Sequence, residues 1–111
     1  MRTKELWIKD KYLQVILAGR KTIEVRVGYS NITRLQAGDR LLLNGQRSYV
    51  IWRVGRYANF EELLTHEDPA AIAPEMTAPE LLNALRAIYP ADKEALGVVA
   101  LEIRPESKHR H

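Results

Sequence analysis

Lys21, Glu24 and Arg26 fall within one short segment, Gly19-Arg-Lys-Thr-Ile-Glu-Val-Arg26. Two cations and a carboxylate at that spacing can grip a phosphate or another acidic group, with Arg26 as a planar fork and Lys21 as a point charge. Glu24 can accept from an exocyclic amine and a ring N–H, the donor pattern of a guanine edge or a protonated cytosine. It could also act as a general base if burial raised its pKa. Lys21 beside it favours the ionised form, which suits binding better than proton shuttling at neutral pH. The plainer alternative is a solvated strand face on which Glu24 and Arg26 touch loosely and contribute little.

The segment that carries these groups alternates like a strand. From Thr22 onward, Ile23, Val25 and Val27 share one face, while Thr22, Glu24 and Arg26 share the other. A strand over 21–27 therefore turns an apolar face to a core and a polar face to water, to a neighbour or to a ligand. Ahead of it, 4–9 reads as a first strand. Asp10 is placed to N-cap a helix through Leu13, Val15, Ile16 and Leu17, and Gly19 to stop it. Residues 28–36 read as an irregular loop. Ala37-Gly-Asp39 turns the chain into a strand over 40–43, and Asn44-Gly45 is a strong type I′ hairpin signal. The return strand covers about 48–57.

Helical signals follow. Asn59-Phe-Glu-Glu62 and Thr77-Ala-Pro-Glu80 both have the spacing of a capping box, the second opening a helix with Leu81, Leu82, Leu85 and Ile88 on one stripe. Between them, 66–74 reads as a loop with one turn nucleated at Asp68-Pro69. Tyr89-Pro90 ends the long helix. The nearly all-apolar run 96–103 reads as a last strand near the centre of the sheet, leaving 105–111 as a basic C-terminal tail expected to be disordered. The order is that of an α+β domain: a small, mostly antiparallel curled sheet or barrel flanked by short helices.

The bulk composition narrows the chemistry. A chain of 111 residues with 46% hydrophobic and 28% charged side chains is one soluble-type domain. It has no cysteine, so disulfides, thiolate catalysis and Cys-ligated zinc are excluded. That composition, with no apolar run long enough for a membrane span and no leader-like start, points to the cytoplasm and away from membranes. The net charge of +3 is unevenly distributed: residues 1–56 hold twelve Lys/Arg against four Asp/Glu, and residues 57–103 hold two against nine. Such a division suggests a cationic surface for an anion such as a phosphate backbone, unless the two halves neutralise each other on packing.

Four blocks in order carry a family resemblance: Leu17 to Arg26, Leu35-Gln-Ala-Gly-Asp39, Tyr57 with Phe60-Glu-Glu-Leu-Leu64, and Gly97-Val-Val-Ala-Leu-Glu-Ile103. Together they resemble the ASCH domain family, with 1–104 as the domain. The resemblance implies a PUA-like β-barrel, a role in RNA or nucleotide metabolism, and a cleft lined by the Gly-x-Lys-x-x-Glu-x-Arg motif. RNA, a nucleotide or a modified nucleoside is the partner it implies, with Lys21, Glu24 and Arg26 facing the cleft. Thr22 between them and Tyr29 in the polar loop complete the expected contact residues, and no cofactor is expected. One branch, similar to small bacterial amidohydrolases acting on acetylcytidine, implies a catalytic lysine at Lys21 and a catalytic glutamate nearest Glu75. Glu24 stands where that branch has its nucleophilic threonine, so the same covalent route lacks its nucleophile. Hydrolysis of a nucleoside amide or an RNA phosphodiester would then need Glu24 to activate water and Lys21 to stabilise the oxyanion.

Other residues matter less. Trp7, Trp52, Tyr49, Tyr57 and Tyr89 can stack on bases, although core or rim packing is the commoner role of such side chains. Tyr29 differs because it sits in a polar loop beside Gly28 and Ser30. His66, His109 and His111 have no metal-ligand spacing, and no phosphate-binding glycine loop is present. A third reading is an interaction domain that meets an acidic partner through Arg40, Arg47, Arg53, Arg56 and the tail.

Overall fold

The computed structural model of the chain describes residues 1–106. The expected tail lies outside them from residue 107 onward, as do His109 and His111. In chain order the elements are β1 (Thr3–Leu6), α1 (Asp10–Leu17), β2 (Ile23–Val27), α2 (Ser30–Thr33), β3 (Arg40–Leu43) and β4 (Arg47–Tyr57). They continue with α3 (Phe60–His66), α4 (Pro69–Ile72), α5 (Ala78–Ile88), α6 (Ala91–Glu94) and β5 (Val98–Pro105). The sheet order is β1-β3-β4-β5-β2, with β1 parallel to β3 and every other pairing antiparallel. The α+β class and the curled, mostly antiparallel sheet are as the sequence indicates. The backbone ladder does not close into a ring, however. β1 and β2 are both edges, and the sheet is a half-barrel.

β5 is the wall between two cores. Its Val99, Leu101 and Ile103 face a first cluster with Leu13 and Ile16 of α1, Ile32 of α2, and Leu41, Leu43, Tyr49 and Ile51. Its Val98 and Ala100 face a second with Ile23, Val25, Val27, Phe60, Leu63, Leu81 and Leu85. Burial on both faces explains why the strand is nearly all apolar. In β4 the register shifts between Ile51 and Arg53, so Trp52 is an extra residue in the ladder. The bulge inverts the alternation, and Val54 packs on the first core in the same sense as Tyr49 and Ile51.

Several local expectations are corrected. β1 ends at Leu6 and not at Lys9, because Asn44 captures the backbone beyond it. Ile8 N–H donates to Asn44 Oδ1 at 2.7 Å, and Asn44 Nδ2 donates to the Ile8 carbonyl at 2.8 Å. The same Asn44 has φ +52° and Gly45 φ +69°, the pair of positive values a type I′ turn requires. Asp10 is inside α1 and not its cap. Its carboxylate accepts from Gln14 Nε2 at 3.2 Å. Asn59 caps α3 by accepting from Glu62 N–H, but Glu62 reaches back to Ala58 N–H. Thr77 and Glu80 form the complete reciprocal box. Pro105 and Glu106 belong to the sheet region and not to a tail: Pro105 sits opposite Tyr49, and Glu106 N–H donates to the Ser48 carbonyl.

A buried carboxylate ties α3 to the sheet. Arg53 makes a fork to Glu67, Nη1 to Oε2 at 3.0 Å and Nη2 to Oε1 at 2.6 Å, and the Tyr57 hydroxyl donates to the same Oε2. Gly55 leaves the room for this, since a Cβ there would stand 2.6 Å from Glu67 Oε2. The Arg53 bonds outweigh the cost of burial and hold the Glu67 carboxyl below its ordinary value of 4.5. An acid depressed in the folded state contributes stability that is complete above 4.5 and disappears as pH falls through the folded value. We therefore expect the thermal midpoint to fall on acidification below that value, and Glu67→Gln to lower the midpoint at pH 7 while flattening the acid dependence. A variant with an unchanged acid slope would contradict this assignment.

Candidate functional site

The edge strand β2 sends Ile23, Val25 and Val27 into the second core, so Glu24 and Arg26 must face the other way. On that side they lie opposite Leu101 and Val99 in the ladder, at the margin of the first core. Nothing in the sheet continues beyond them. The side chains turn instead toward the gap separating β2 from the other edge, where Trp7 and Ile8 leave β1.

Two cations and the anion between them are ordered there in a row. Lys21 Nζ donates to the Ile23 carbonyl at 2.7 Å and the Ile72 carbonyl at 2.9 Å, and lies 3.3 Å from Glu24 Oε1. An ammonium has three donors, so Lys21 has none left over. Burial pulls its pKa below the ordinary 10.5, and Glu24 acts in the opposite sense. Glu24 is 8% exposed, and its Oε2 accepts from Arg26 Nε at 2.7 Å. Arg26 then reaches across the open edge, Nη2 donating to the Trp7 carbonyl at 3.0 Å. A guanidinium carries five N–H donors. These two contacts leave several on Arg26 facing outward, and its side chain is 23% exposed.

The row forms the polar wall of a cavity of about 310 Å³. Its other walls are mostly apolar, Tyr12 of α1, Ile72 of α4, Leu85 and Ile88 of α5, and Tyr89, with Trp7 at the lip and the exposed Lys9 beside it. That volume is at the lower end of small-ligand sites, about 300 Å³. Trp7 is 70% exposed and Ile88 59%, so the rim offers apolar and aromatic surface to a ligand. Tyr89 combines partial burial with a hydroxyl whose pKa burial raises.

The structure brings Lys21, Glu24 and Arg26 together as the spacing suggests, but it assigns them unequal roles. Lys21 holds β2 to α4 and has no free donor, whereas Arg26 has several. Thr22 is exposed and does not line the cavity; its backbone pairs with Ala71 and Ile103. Tyr29 lines a neighbouring cavity and not this one. Glu75 is exposed and forms an ion pair with Arg20 at 2.7 Å, away from the cavity wall. Of the aromatic candidates, Tyr49 is core, Tyr57 is half-buried against His66, and Trp52 is exposed with Arg104 over its ring at 3.9 Å. The arginines of the interaction-domain reading are mostly engaged within the fold. Arg40 pairs with Glu106, Arg53 with Glu67 and Glu102, and Arg56 donates to the Thr33 and Leu35 carbonyls. The acidic second half thus neutralises part of the basic first half. What sequence reasoning missed is Ile72 as the acceptor for Lys21, the Trp7 carbonyl as the acceptor for Arg26, and Tyr12 and Ile88 as cavity walls. Backbone carbonyls leave no trace in residue type. Among the described residues, no group of three or more His, Cys, Asp or Glu side chains could hold a metal ion, and no helix is long and apolar enough to cross a membrane.

A curled five-stranded half-barrel with short helices packed around it is a PUA-like fold, and the polar wall comes from one motif on its edge strand. The chain belongs to the ASCH domain family, whose family model matches residues 6–107. Two solved structures are similar over nearly the whole chain. The crystal structure of the hypothetical protein PH0355 has a TM-score of 0.87 at 27% identity, covering 96% of this chain and 100% of that one. The solution NMR structure of protein PF0455 from Pyrococcus furiosus has a TM-score of 0.78 at 25% identity, covering 97% and 100%. No curated protein matches the sequence.

Replacing Lys21 by Met strands Glu24 and two carbonyls without their donor in a buried place. We expect a loss of about 3 kcal/mol or more in urea unfolding, the range for breaking one side of a buried pair. Combining it with Glu24→Gln should recover part of that loss. A loss of under about 1 kcal/mol would mean that Lys21 is solvated.

Proposed function

We propose that this cavity binds a nucleotide, free or within RNA, and that the domain is a binding module. The base enters between Tyr12, Ile88 and Tyr89, where its polar edge meets Glu24. Each Glu24 oxygen accepts one bond from a neighbouring cation, and a carboxylate has about four acceptor positions in all. Two remain for an exocyclic amine and a ring N–H. Arg26 presents its remaining donors to the phosphate, a group that its planar fork suits better than a lysine would. Trp7 supplies an aromatic face at the mouth, and stacking on such a face contributes about 1–3 kcal/mol per base.

The observation that carries this reading is the meeting of a base-sized apolar cavity with a buried carboxylate and a guanidinium that is only partly used. The carboxylate is buried and the guanidinium half-buried, yet neither is saturated. The hydrolytic alternative draws less support. Lys21 has no donor for a developing oxyanion, Glu75 pairs elsewhere, and both Glu24 oxygens already accept from neighbouring cations.

Titration calorimetry with the four ribonucleoside monophosphates and with short single-stranded RNA tests the proposal. We expect binding at low salt, at least about tenfold weaker in Arg26→Ala for ligands that carry a phosphate, about 1.4 kcal/mol. Nucleosides without a phosphate should be affected much less. Absence of binding by any of these ligands, or binding indifferent to Arg26→Ala, would refute it.

A further inference from the structure

The gap between the two sheet edges holds a second cavity, of about 290 Å³, on the far side of Arg26. It shares Trp7, Arg26 and Tyr89 with the first, so the guanidinium and its bond to the Trp7 carbonyl form the partition between them. Both chambers mix apolar and polar walls. In the first, Glu24, Lys21 and Lys9 accompany the apolar side chains. In the second, Lys4, Glu5 and Asn31 accompany Leu6, Val27 and Ile32, with Tyr29 at its side. Tyr29 is 43% exposed, and Lys93 Nζ lies 5.9 Å from its ring centroid. A partly exposed ring on a cavity wall, with a cation over it, is a platform for a planar group.

We infer that the ligand is a single strand and that the domain takes two consecutive nucleotides, one base in each chamber, with the phosphate that joins them on Arg26. This rests on the reading of the first cavity as a nucleotide site and extends it. Two comparable chambers separated by one cationic partition match the alternation of base, phosphate and base along a strand. Arg26 is suited to the central position because Glu24 and Trp7 fix its fork in place while leaving outward donors. The partition also selects against duplexes, whose bases stay stacked and paired and cannot be placed singly in side chambers. The second chamber, with donors and acceptors from Lys4, Asn31 and Glu5, would accept a base without the selectivity that Glu24 gives the first.

Fluorescence anisotropy or calorimetry with ribonucleoside monophosphates, the corresponding 5′-phosphorylated dinucleotides, and one blunt-ended RNA duplex tests this directly. The expected result is a dinucleotide affinity at least tenfold above that of the better mononucleotide, with no such gain for the duplex. Tyr29→Ala should reduce the dinucleotide to mononucleotide affinity and leave mononucleotide binding unchanged, while Tyr29→Phe, which keeps the ring, should retain the gain. Equal affinities for mono- and dinucleotide, or a dinucleotide gain that survives Tyr29→Ala, would overturn the two-chamber inference and leave the one-nucleotide reading in place. If no mononucleotide, dinucleotide or longer single strand binds at all, both readings are overturned together.

Discussion

The carboxylate of Glu24 is the constraint to which the site answers. A buried anion on an edge strand is costly unless its desolvation is offset by close, well-oriented partners. Here the partners are Lys21 on one oxygen and Arg26 on the other. Each of those cations, once buried or half-buried, has to satisfy its own donors in turn. Lys21 does so on the carbonyls of Ile23 and Ile72, and Arg26 on the carbonyl of Trp7. One carboxylate thereby links β2 to α4 on one side and to the chain leaving β1 on the other. The half-barrel, which no backbone ladder closes, is joined across its open edge by this chain of charge-assisted bonds.

That arrangement divides two cations that look equivalent in the motif. The lysine is a compact point charge with three donors, and a pocket of two carbonyls and a carboxylate uses all of them. The guanidinium is larger and flat, and two contacts leave it unsaturated. Lys21 is therefore used up by the fold while Arg26 keeps donors in reserve, and the asymmetry comes from donor number and not from position in the sequence. It also explains how a site can be both neutralised internally and open to a ligand. The pairing cancels one of the two positive charges and leaves directional donors and acceptors in the wall.

Much of the local architecture was legible in the sequence because local rules decide it. Asn44-Gly45 could only be a tight turn, and Thr77 with Glu80 could only open a helix. The alternation of Ile23, Val25 and Val27 separated the two faces of β2 and placed Glu24 with Arg26. The α2 and α4 helices are too short to show a period, which is why their stretches read as a loop and a turn, and α6 drew no reading for the same reason. Asp10 failed as a cap by one position, since α1 starts on it and its carboxylate meets Gln14 in the next turn, whereas Pro105 failed as the start of a tail for a tertiary reason, its pairing with Tyr49. The same holds at the site. The charged trio was visible, but its acceptors were not, because Ile72 and Trp7 contribute carbonyl oxygens that any residue would supply. Glu67 was passed over entirely, although Gly55 in the middle of a strand marks a close approach that only the partner's identity left open.

The division between Lys21 and Arg26 is best tested by direct observation of the two side chains on ligand binding. In nitrogen-15 NMR of the labelled protein titrated with a short single-stranded oligonucleotide, the Arg26 guanidinium resonances should move with saturation. The Lys21 ammonium, held by two carbonyls and Glu24, should stay where it was. A Lys21 resonance that shifts with the ligand while Arg26 remains still would contradict the account at its centre.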